Sequence, residues 1–140
     1  MIGVERLRNV DIFEGLNDEE LKTAAHFCQE ESVGGGVTLC EEGARADKLF
    51  ILEEGSVSMR LTSGSHYGIR TPGKILGWSF LVPPNRYTAT AVTDGPCKLL
   101  VIKSPDFYDL IHKEAKLGLT IMDNLSKIVA SRLKAIVDYH

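Results

Sequence analysis

The chain has 140 residues, of which 44% are hydrophobic and 25% charged, a composition typical of one ordinary globular domain. Its 16 Lys and Arg side chains stand against 19 Asp and Glu, and the net charge of −3 provides no overall positive field to hold a nucleic-acid backbone. We therefore expect a single domain, residues 1–140, that does not bind nucleic acid directly.

The cysteine count and the apolar runs indicate a cytoplasmic protein. The 3 cysteines include no C-x-x-C pair, which is typical of free thiols in a reducing compartment. The longest uncharged stretch, residues 75–85, is much shorter than the roughly 20 apolar residues that a membrane-spanning helix needs. Glu5, Arg6 and Arg8 stand where a signal peptide would carry its apolar run. We predict a cytoplasmic chain that does not contact a membrane.

The N-terminal region, residues 1–32, carries a helix signal, and strand signals follow it. The segment Asn17–Glu20 has the pattern of a capping box and predicts a helix from about Asp18 to Gln29. In residues 33–103, β-rich runs alternate with glycines, a spacing typical of a β-barrel or jelly-roll sandwich. The clearest runs are Lys48–Leu52, Ser56–Leu61, Thr88–Val92 and Leu99–Ile102.

The C-terminal region, residues 104–140, is predicted to be helical. Ser104 is the expected N-cap of its first helix and Pro105 the first helical residue. From about Ala115 to Val137, apolar residues recur at steps of three and four: Met122, Leu125, Val129, Leu133 and Ile136, flanked by Ile121, Ile128 and Val137. One edge of this stripe can pack on the β-core while the other meets a second copy of the helix. We predict a homodimer; the alternative is a helix folded wholly onto its own domain.

The sequence contains no pattern of a metal site or a catalytic centre. Its 4 histidines are scattered, and only His66 lies in the strand region, whereas a metal-dependent β-barrel enzyme needs several converging His and carboxylate ligands. No nucleophile with an adjacent base, paired carboxylate site or Walker-type loop is apparent. We therefore expect a protein that is not an enzyme and that uses no metal or cofactor.

Several short motifs follow one another along the chain: Asp11–Leu16, Glu42-Gly43, Leu49–Val57, Pro72–Gly77 and Thr88–Thr90. In this order and at these separations they resemble the cyclic nucleotide-binding domain family, which includes catabolite activator proteins and the regulatory subunits of cyclic-nucleotide-dependent kinases. The resemblance implies a mainly β fold with flanking helices, a double-stranded β-helix (jelly roll) with an N-terminal helix and a long amphipathic C-terminal helix. The glycines between the strand-like runs fall where a jelly roll must turn sharply.

In that family the segment beginning at the position of Gly77 is the phosphate-binding cassette, here residues 77–90, whose free N–H groups face the cyclic phosphate. The family usually places a Glu after the glycine, which binds the ribose 2′-hydroxyl, and an Arg before a small-Ala-Thr run, which binds the phosphate. Here Trp78 stands at the Glu position. An ungapped comparison places Tyr87 at the Arg position, whereas a loop shorter by one residue would make Arg86 the family arginine.

The resemblance implies a ligand site with altered chemistry. The backbone N–H groups of Ser79 and Phe80 can still face an anion, and Thr88 can donate to a phosphate. Trp78 has one N–H donor and no acceptor, so it cannot replace the Glu; it can stack on a planar ligand or fill the pocket. Val82 is expected in the core. The candidate ligand-binding residues are Gly77, Trp78, Ser79, Phe80, Arg86, Tyr87 and Thr88.

Two functions are compatible with these residues. The first is a small-molecule sensing regulatory module that binds a cyclic nucleotide or another small anion non-catalytically and signals through its C-terminal helix. The alternative is a degenerate domain that binds no ligand and serves as a dimerisation or docking scaffold. A sensing module should leave a concave pocket beside residues 77–80, whereas in a scaffold the indole of Trp78 should fill that space.

Overall fold

The computed structural model describes residues 2–139, with side chains described as far as residue 134. Helices lie at both ends of the chain and strands between them, as the sequence predicts. The α-helices are α1 (Asp18–Ala25), α2 (Ser104–Lys113) and α3 (Ala115–Tyr139). The strands are β1 (Gln29–Val33), β2 (Thr38–Cys40), β3 (Lys48–Glu54), β4 (Val57–Arg60), β5 (His66–Ile69), β6 (Ile75–Leu76), β7 (Thr90–Thr93) and β8 (Cys97–Lys103).

Within residues 2–139 the strands form two antiparallel sheets of four strands, which confirms the predicted jelly-roll fold. The strand order is β1-β8-β3-β6 in one sheet and β2-β7-β4-β5 in the other. Strand β3 is central: it pairs with β8 from Lys48 opposite Lys103 to Glu54 opposite Lys98, and with β6 on its other side. Its segment 49–52 is buried on both faces and belongs to the hydrophobic core.

The N-terminal helix starts as predicted but ends earlier. The Asn17 side chain accepts a hydrogen bond from the Glu20 amide at 2.9 Å, and the Glu20 side chain accepts one from the Asn17 amide at 3.0 Å, which confirms the capping box. The prediction that the helix continues to Gln29 is wrong, because α1 ends at Ala25 and Gln29–Val33 form an edge strand. Polar residues fill that strand, so it lacks the apolar alternation by which a strand is recognised.

The start of α2 also differs from its predicted position. The helix begins at Ser104, with Lys103 as its N-cap and no side-chain cap, so Ser104 is not the capping residue. Pro105 occupies the first turn, where its missing N–H group costs no hydrogen bond.

Helix α3 has one edge on the domain and one edge in solvent. Leu117, Ile121 and Leu125 are buried in the core, as the predicted stripe requires. On the other edge Met122 is 37%, Val129 38% and Leu133 61% exposed. Ile136 and Val137 are also predicted to belong to the apolar stripe, but they lie outside the residues whose side chains the structure describes. The helix therefore presents a wide apolar surface of which only one part is covered by its own domain.

Asn124 ties the buried edge of α3 to the N-terminal segment. The side chain is 8% exposed, and its Nδ2 donates to the carbonyl oxygens of Ile12 at 3.0 Å and Glu14 at 2.8 Å. A buried amide that donates to two carbonyl oxygens fixes the position of the helix along its axis and its rotation about that axis. A shift of the helix would leave these carbonyl oxygens without their donor.

Replacing Asn124 with Ala is expected to lower the free energy of unfolding by about 1–3 kcal/mol, because two carbonyls lose their donor. Urea denaturation followed by circular dichroism measures the change. The control is Ser126→Ala on the exposed side of the same helix, which we expect to stay within about 0.5 kcal/mol of wild type. Equal stability of the Asn124 variant and wild type would contradict the anchoring role.

Candidate functional site

Gly77 begins the cassette with a left-handed turn. Its φ of +88° is strained for any residue with a side chain, and a Cβ at this position would lie 2.8 Å from the carbonyl oxygen of Lys48. The turn leads directly into a short 3₁₀ helix, Trp78–Leu81. The glycine therefore lets the chain leave β6 next to β3 and place Trp78 at the mouth of the jelly roll.

Tyr87 points into the jelly roll and is held by backbone groups of the loop before β3. Its hydroxyl accepts from the amides of Asp47 and Lys48 at 3.3 and 3.2 Å, and it lies within donating distance of the Lys48 carbonyl oxygen at 3.1 Å and of Asp47 Oδ1 at 3.3 Å. The side chain is 7% exposed, and burial raises the pKa of the phenol to about 12. Cys40 lies beside it, and burial raises the pKa of this thiol to about 12 as well. Tyr87 and Cys40 are therefore both neutral at physiological pH.

Arg132 of α3 covers the cassette from the opposite side. Its guanidinium carbon lies 5.0 Å from the ring centroid of Trp78 and 5.9 Å from that of Tyr67. Its Nη2 donates to the carbonyl oxygen of Ile75 at 2.6 Å. A guanidinium within about 6 Å of a ring face interacts favourably with that ring, more strongly where water is excluded. These contacts join the C-terminal helix, strand β6 and the cassette at one point.

The space left between these groups is small. The cassette cavity, as we call the space bounded by these side chains, has a volume of about 40 Å³. That is room for about three water molecules, whereas pockets for small molecules measure about 300–1,000 Å³. The cavity is lined by Cys40, Met59, Tyr67, Gly77, Trp78, Ser79, Tyr87, Thr88, Ala89 and Arg132. The cassette cavity is therefore smaller than a pocket for a small molecule, with Trp78 among its lining residues.

The structure brings together five of the seven candidate ligand-binding residues: Gly77, Trp78, Ser79, Tyr87 and Thr88 line the cassette cavity. Phe80 does not: it is buried against Phe107 and Tyr108, with ring centroids 5.6 and 6.1 Å away.

Arg86 lies outside the cassette cavity. It pairs with Arg45 in an isolated β-bridge, and its Nη1 donates to the carbonyl oxygen of Gly43 at 2.8 Å on the surface. Tyr87, not Arg86, therefore points to the interior, as the ungapped comparison requires. The expectation that Val82 belongs to the core is wrong, since this side chain is 60% exposed.

The sequence interpretation missed five residues that line the cassette cavity, among them the charged residue Arg132; the others are Cys40, Met59, Tyr67 and Ala89. A signal for Arg132 exists in the helix periodicity: Ile121, Leu125, Ile128 and Arg132 are spaced by four, three and four residues and share the buried edge of α3. A charged residue on an apolar edge indicates that its head group has a partner inside the domain. For Arg132 the partners are the Trp78 ring and the carbonyl oxygen of Ile75.

Among residues 2–139, no group of three or more His, Cys, Asp or Glu side chains is placed to hold a metal ion. No helix there combines the length and the apolar character needed to cross a bilayer.

Comparison with known proteins defines the class. The family model of the cyclic nucleotide-binding domain matches residues 30–114, so this chain belongs to the cyclic nucleotide-binding domain family. A solved structure of a cyclic nucleotide-binding protein from Geobacter metallireducens GS-15 is 33% identical in sequence and superposes with a TM-score of 0.80. The match covers 95% of this chain and 99% of the Geobacter chain. The regulatory subunit of a cAMP-independent protein kinase A from Trypanosoma brucei shares the fold, with a TM-score of 0.76 at 19% identity, over 89% of this chain and 43% of that one.

One curated relative is an enzyme that is much longer than this chain. It is glutaminase 2 of Bradyrhizobium diazoefficiens, which is 29% identical over 120 residues, or 86% of this chain. The chain spans 19% of the length of that glutaminase.

The Tyr87 hydroxyl makes a pH-dependent contribution to stability that Tyr87→Phe removes. We expect this variant to be less stable than wild type by about 1–2 kcal/mol at neutral pH, because two amides and a carbonyl lose their partner. Above the ordinary tyrosine pKa of about 10 the unfolded wild type loses its phenol proton, while the folded protein keeps it until about pH 12. The free energy of unfolding of wild type therefore falls between about pH 10 and pH 12. As a result, the difference in this free energy between wild type and Tyr87→Phe becomes smaller.

Urea denaturation at about pH 7 and at steps above pH 10 measures this gap. Cys28, whose pKa burial raises to about 12, lies outside the cassette, contributes equally in both proteins and cancels. A gap that stays constant up to pH 12 would show that the phenol is not held in its neutral form.

Proposed function

We propose that this chain is a non-catalytic regulatory domain whose C-terminal helix carries the output and whose cassette is closed by the chain's own side chains. The observation that carries the proposal is the cassette cavity of about 40 Å³, in which Tyr87 fills the interior and Arg132 covers Trp78. Residues 1–140 act as one unit in this proposal. It places the protein in the cytoplasm, in accord with the buried, unpaired state of all its cysteines: Cys28, Cys40 and Cys97.

The chemistry of the cassette agrees with weak or no capture of cyclic AMP. A hydrogen bond to a charged group contributes about 1.5–3 kcal/mol. Losing both charged contacts of the family, to the ribose and to the phosphate, therefore weakens binding by roughly a hundred- to ten-thousandfold. In addition, Arg132 would have to leave the Trp78 ring and the Ile75 carbonyl before a nucleotide could enter.

One relative agrees with a regulatory role that does not depend on cyclic AMP, and a second agrees with a domain that is part of a longer protein. The Trypanosoma brucei kinase subunit shares this fold and is described as belonging to a cAMP-independent kinase. In the Bradyrhizobium glutaminase the matching segment makes up 19% of a longer protein. We infer that a domain of this kind serves there as a part added to a catalytic chain, and that the present chain likewise regulates a partner.

A second candidate function is supported by the groups that remain in the cassette. Ser79, Thr88 and Ala89 line the cavity beside Gly77, so backbone and hydroxyl donors typical of a phosphate site are retained. If Arg132 moved outward, these groups could bind an anion smaller than a nucleotide. The domain would then be a small-molecule sensor whose ligand competes with Arg132.

We further propose that the exposed edge of α3 pairs with the same edge of a second copy. Met122, Ser126, Val129 and Leu133 recur at the four- and three-residue steps of a coiled-coil seam, and the seam carries no charged residue. A seam of this kind is complementary to itself, which favours a homodimer over a charged partner.

Cyclic AMP is expected to leave the melting temperature of the wild-type protein unchanged. For a Kd of about 1 μM, about 0.1 mM ligand would stabilise the fold by about 2.7 kcal/mol, a rise of several degrees. The double variant Trp78→Glu, Tyr87→Arg restores both charged groups of the family and is expected to gain a measurable rise. Trp78→Glu alone is the control, because it provides the ribose contact without the phosphate contact.

Two results would count against the closed-cassette proposal. A rise of several degrees for wild type would show that the cassette opens to cyclic AMP despite its altered residues. No rise for a folded double variant would show that something other than Trp78 and Tyr87 prevents binding. If small anions such as inorganic phosphate or acetate stabilise wild type in the same panel while cyclic AMP does not, the second candidate function is favoured.

The dimer is tested by Leu133→Glu, which places a charge in the apolar seam. Sedimentation equilibrium is expected to show a dimer for wild type and a monomer for this variant at the same concentration. The control is Lys134→Glu, which changes charge by two units on a different side of the helix and should remain dimeric. A monomeric wild type would overturn the dimer proposal without affecting the closed cassette.

A further inference from the structure

A second, larger cavity lies where the residues before β3 run between the end of the cassette and the start of α2. We call it the basic cavity, after the four cationic side chains that line it: Arg45, Lys48, Arg86 and Lys103. Its volume is about 880 Å³, against about 40 Å³ for the cassette cavity, and the two cavities share no lining residue. Pockets of about 300–1,000 Å³ hold small molecules, so the basic cavity is large enough for one.

The chain leaves the positive charge of the basic cavity unneutralised. Among the described side chains, none of the four cations forms an ion pair with a carboxylate. Asp47 provides the one carboxylate among the lining residues, and its Oδ1 lies 3.3 Å from the Tyr87 hydroxyl. Four positive charges against one negative charge leave an excess of three in the cavity.

These cations are accessible to a ligand. Arg45, Arg86 and Lys103 are exposed, and Lys48 is half-buried. Nη1 of Arg86 donates to the carbonyl oxygen of Gly43 at 2.8 Å, which steadies this side chain at the surface. An anion can therefore reach the cationic head groups without unfolding any part of the domain.

The two lysines face each other across strands β3 and β8. Lys48 lies directly opposite Lys103 in the register of this antiparallel pair. The amide of Ser104 donates to the carbonyl oxygen of Asp47 at 2.8 Å, so the hydrogen bond lies beside the two lysines and not between them. The lysines therefore form a non-hydrogen-bonded pair, the type in which the two Cα atoms are only about 4.5 Å apart.

The two arginines face each other in the same way. Arg45 lies opposite Arg86 in an isolated antiparallel bridge, and beside it the Ala46 amide donates to the carbonyl oxygen of Asn85 at 2.8 Å. This is again the closely spaced type of pair. Like charges directly opposite each other destabilise an antiparallel pair. Two such pairs in one cavity, neither of them neutralised by a carboxylate of the chain, indicate that an external anion completes the site.

We propose that the basic cavity binds a small molecule with two phosphate groups, one on the arginine pair and one on the lysine pair. A phosphate monoester carries a charge of about −1.5 to −2 and three acceptor oxygens, so it balances two cations, whereas a carboxylate balances one. Guanidinium groups bind phosphate oxygens in a bidentate manner, and lysines bind them as point charges. Arg45 and Lys48 are three positions apart, so the two pairs are at most about 11 Å apart along the chain and one small molecule reaches both.

The observations favour a small molecule over a nucleic acid, although both carry phosphates. The cations line one cavity instead of forming an extended stripe. The net charge of −3 over the whole chain provides no long-range attraction for a polyanion. A compact ligand that gains its affinity inside the cavity fits both facts.

A ligand in the basic cavity would act on the cassette from outside. It would join Arg86, which precedes Tyr87, to Lys103, the N-cap residue of α2. The hydrogen bonds from Ala46 and Ser104 already connect the same segments, so binding would strengthen an existing contact. This inference goes beyond the proposed function, because the ligand does not enter the cassette cavity.

The test is isothermal titration of the wild-type chain with four probes: fructose 1,6-bisphosphate, pyrophosphate, inorganic phosphate and citrate. The first two carry two phosphate groups, separated in the sugar and joined in pyrophosphate. Citrate carries several carboxylates but no phosphate. We expect one of the first two to bind at least about tenfold tighter than inorganic phosphate and than citrate, and its identity shows whether the phosphates are separated or joined.

Arg45→Gln and Lys103→Gln each remove one cation from one pair. Both variants are expected to bind the preferred probe about tenfold or more weakly than wild type. The matched controls are Arg60→Gln and Lys113→Gln, which remove exposed cations outside the basic cavity and should bind that probe as wild type does.

Melting temperatures without ligand separate the binding role from a structural one. Arg45→Gln and Lys103→Gln should melt at the wild-type temperature or higher, because each relieves repulsion between like charges. A structural role for these cations predicts lower melting temperatures.

Several outcomes would overturn the proposal: no binding of either diphosphate probe to wild type at about 1 mM, equal affinity for citrate, unaltered affinity in Arg45→Gln and Lys103→Gln, or lower melting temperatures of both unliganded variants. Tighter binding of a single-stranded DNA of about 12 nucleotides would show a nucleic-acid surface instead. The wild-type comparison of the probes needs no variant, so it is decisive even if a variant fails to fold.

The result is independent of the closed cassette. Binding of cyclic AMP to the cassette would leave the comparison of the four probes unaffected. Stabilisation by inorganic phosphate that is lost in Arg45→Gln belongs to the basic cavity, whereas stabilisation that this variant retains belongs to the cassette.

Discussion

The contact of Arg132 with Trp78 and with the Ile75 carbonyl connects the C-terminal helix to the cassette. The guanidinium lies on the indole face, 5.0 Å from its centroid, and one nitrogen donates to strand β6 at 2.6 Å. Because Arg132 belongs to α3, the packing of this helix closes the cassette. Opening the cassette requires breaking a partly buried charged hydrogen bond and a cation–π contact together, while keeping it closed requires no ligand.

The cassette combines a glycine turn with an interior of altered chemistry. Gly77 makes the left-handed turn that brings the chain past the Lys48 carbonyl. Inside the cassette, Tyr87 places a neutral phenol whose hydroxyl contacts the Asp47 and Lys48 amides, the Lys48 carbonyl and the Asp47 carboxylate. Because the loop directs Arg86 to the surface, its inner side packs against aromatic rings, and the resulting cavity is too small for a nucleotide.

The sequence predicted the parts of this structure that depend on local patterns. The capping box at Asn17 follows from neighbouring residues, whereas the family motif left Tyr87 and Arg86 open as alternatives for the inward position. Strand β1 could not be predicted in the same way, because its polar residues form a strand only when β8 offers an edge. Trp78 and Arg132 are 54 positions apart in the chain, so no local spacing brings them together; only the packing of α3 on the cassette does.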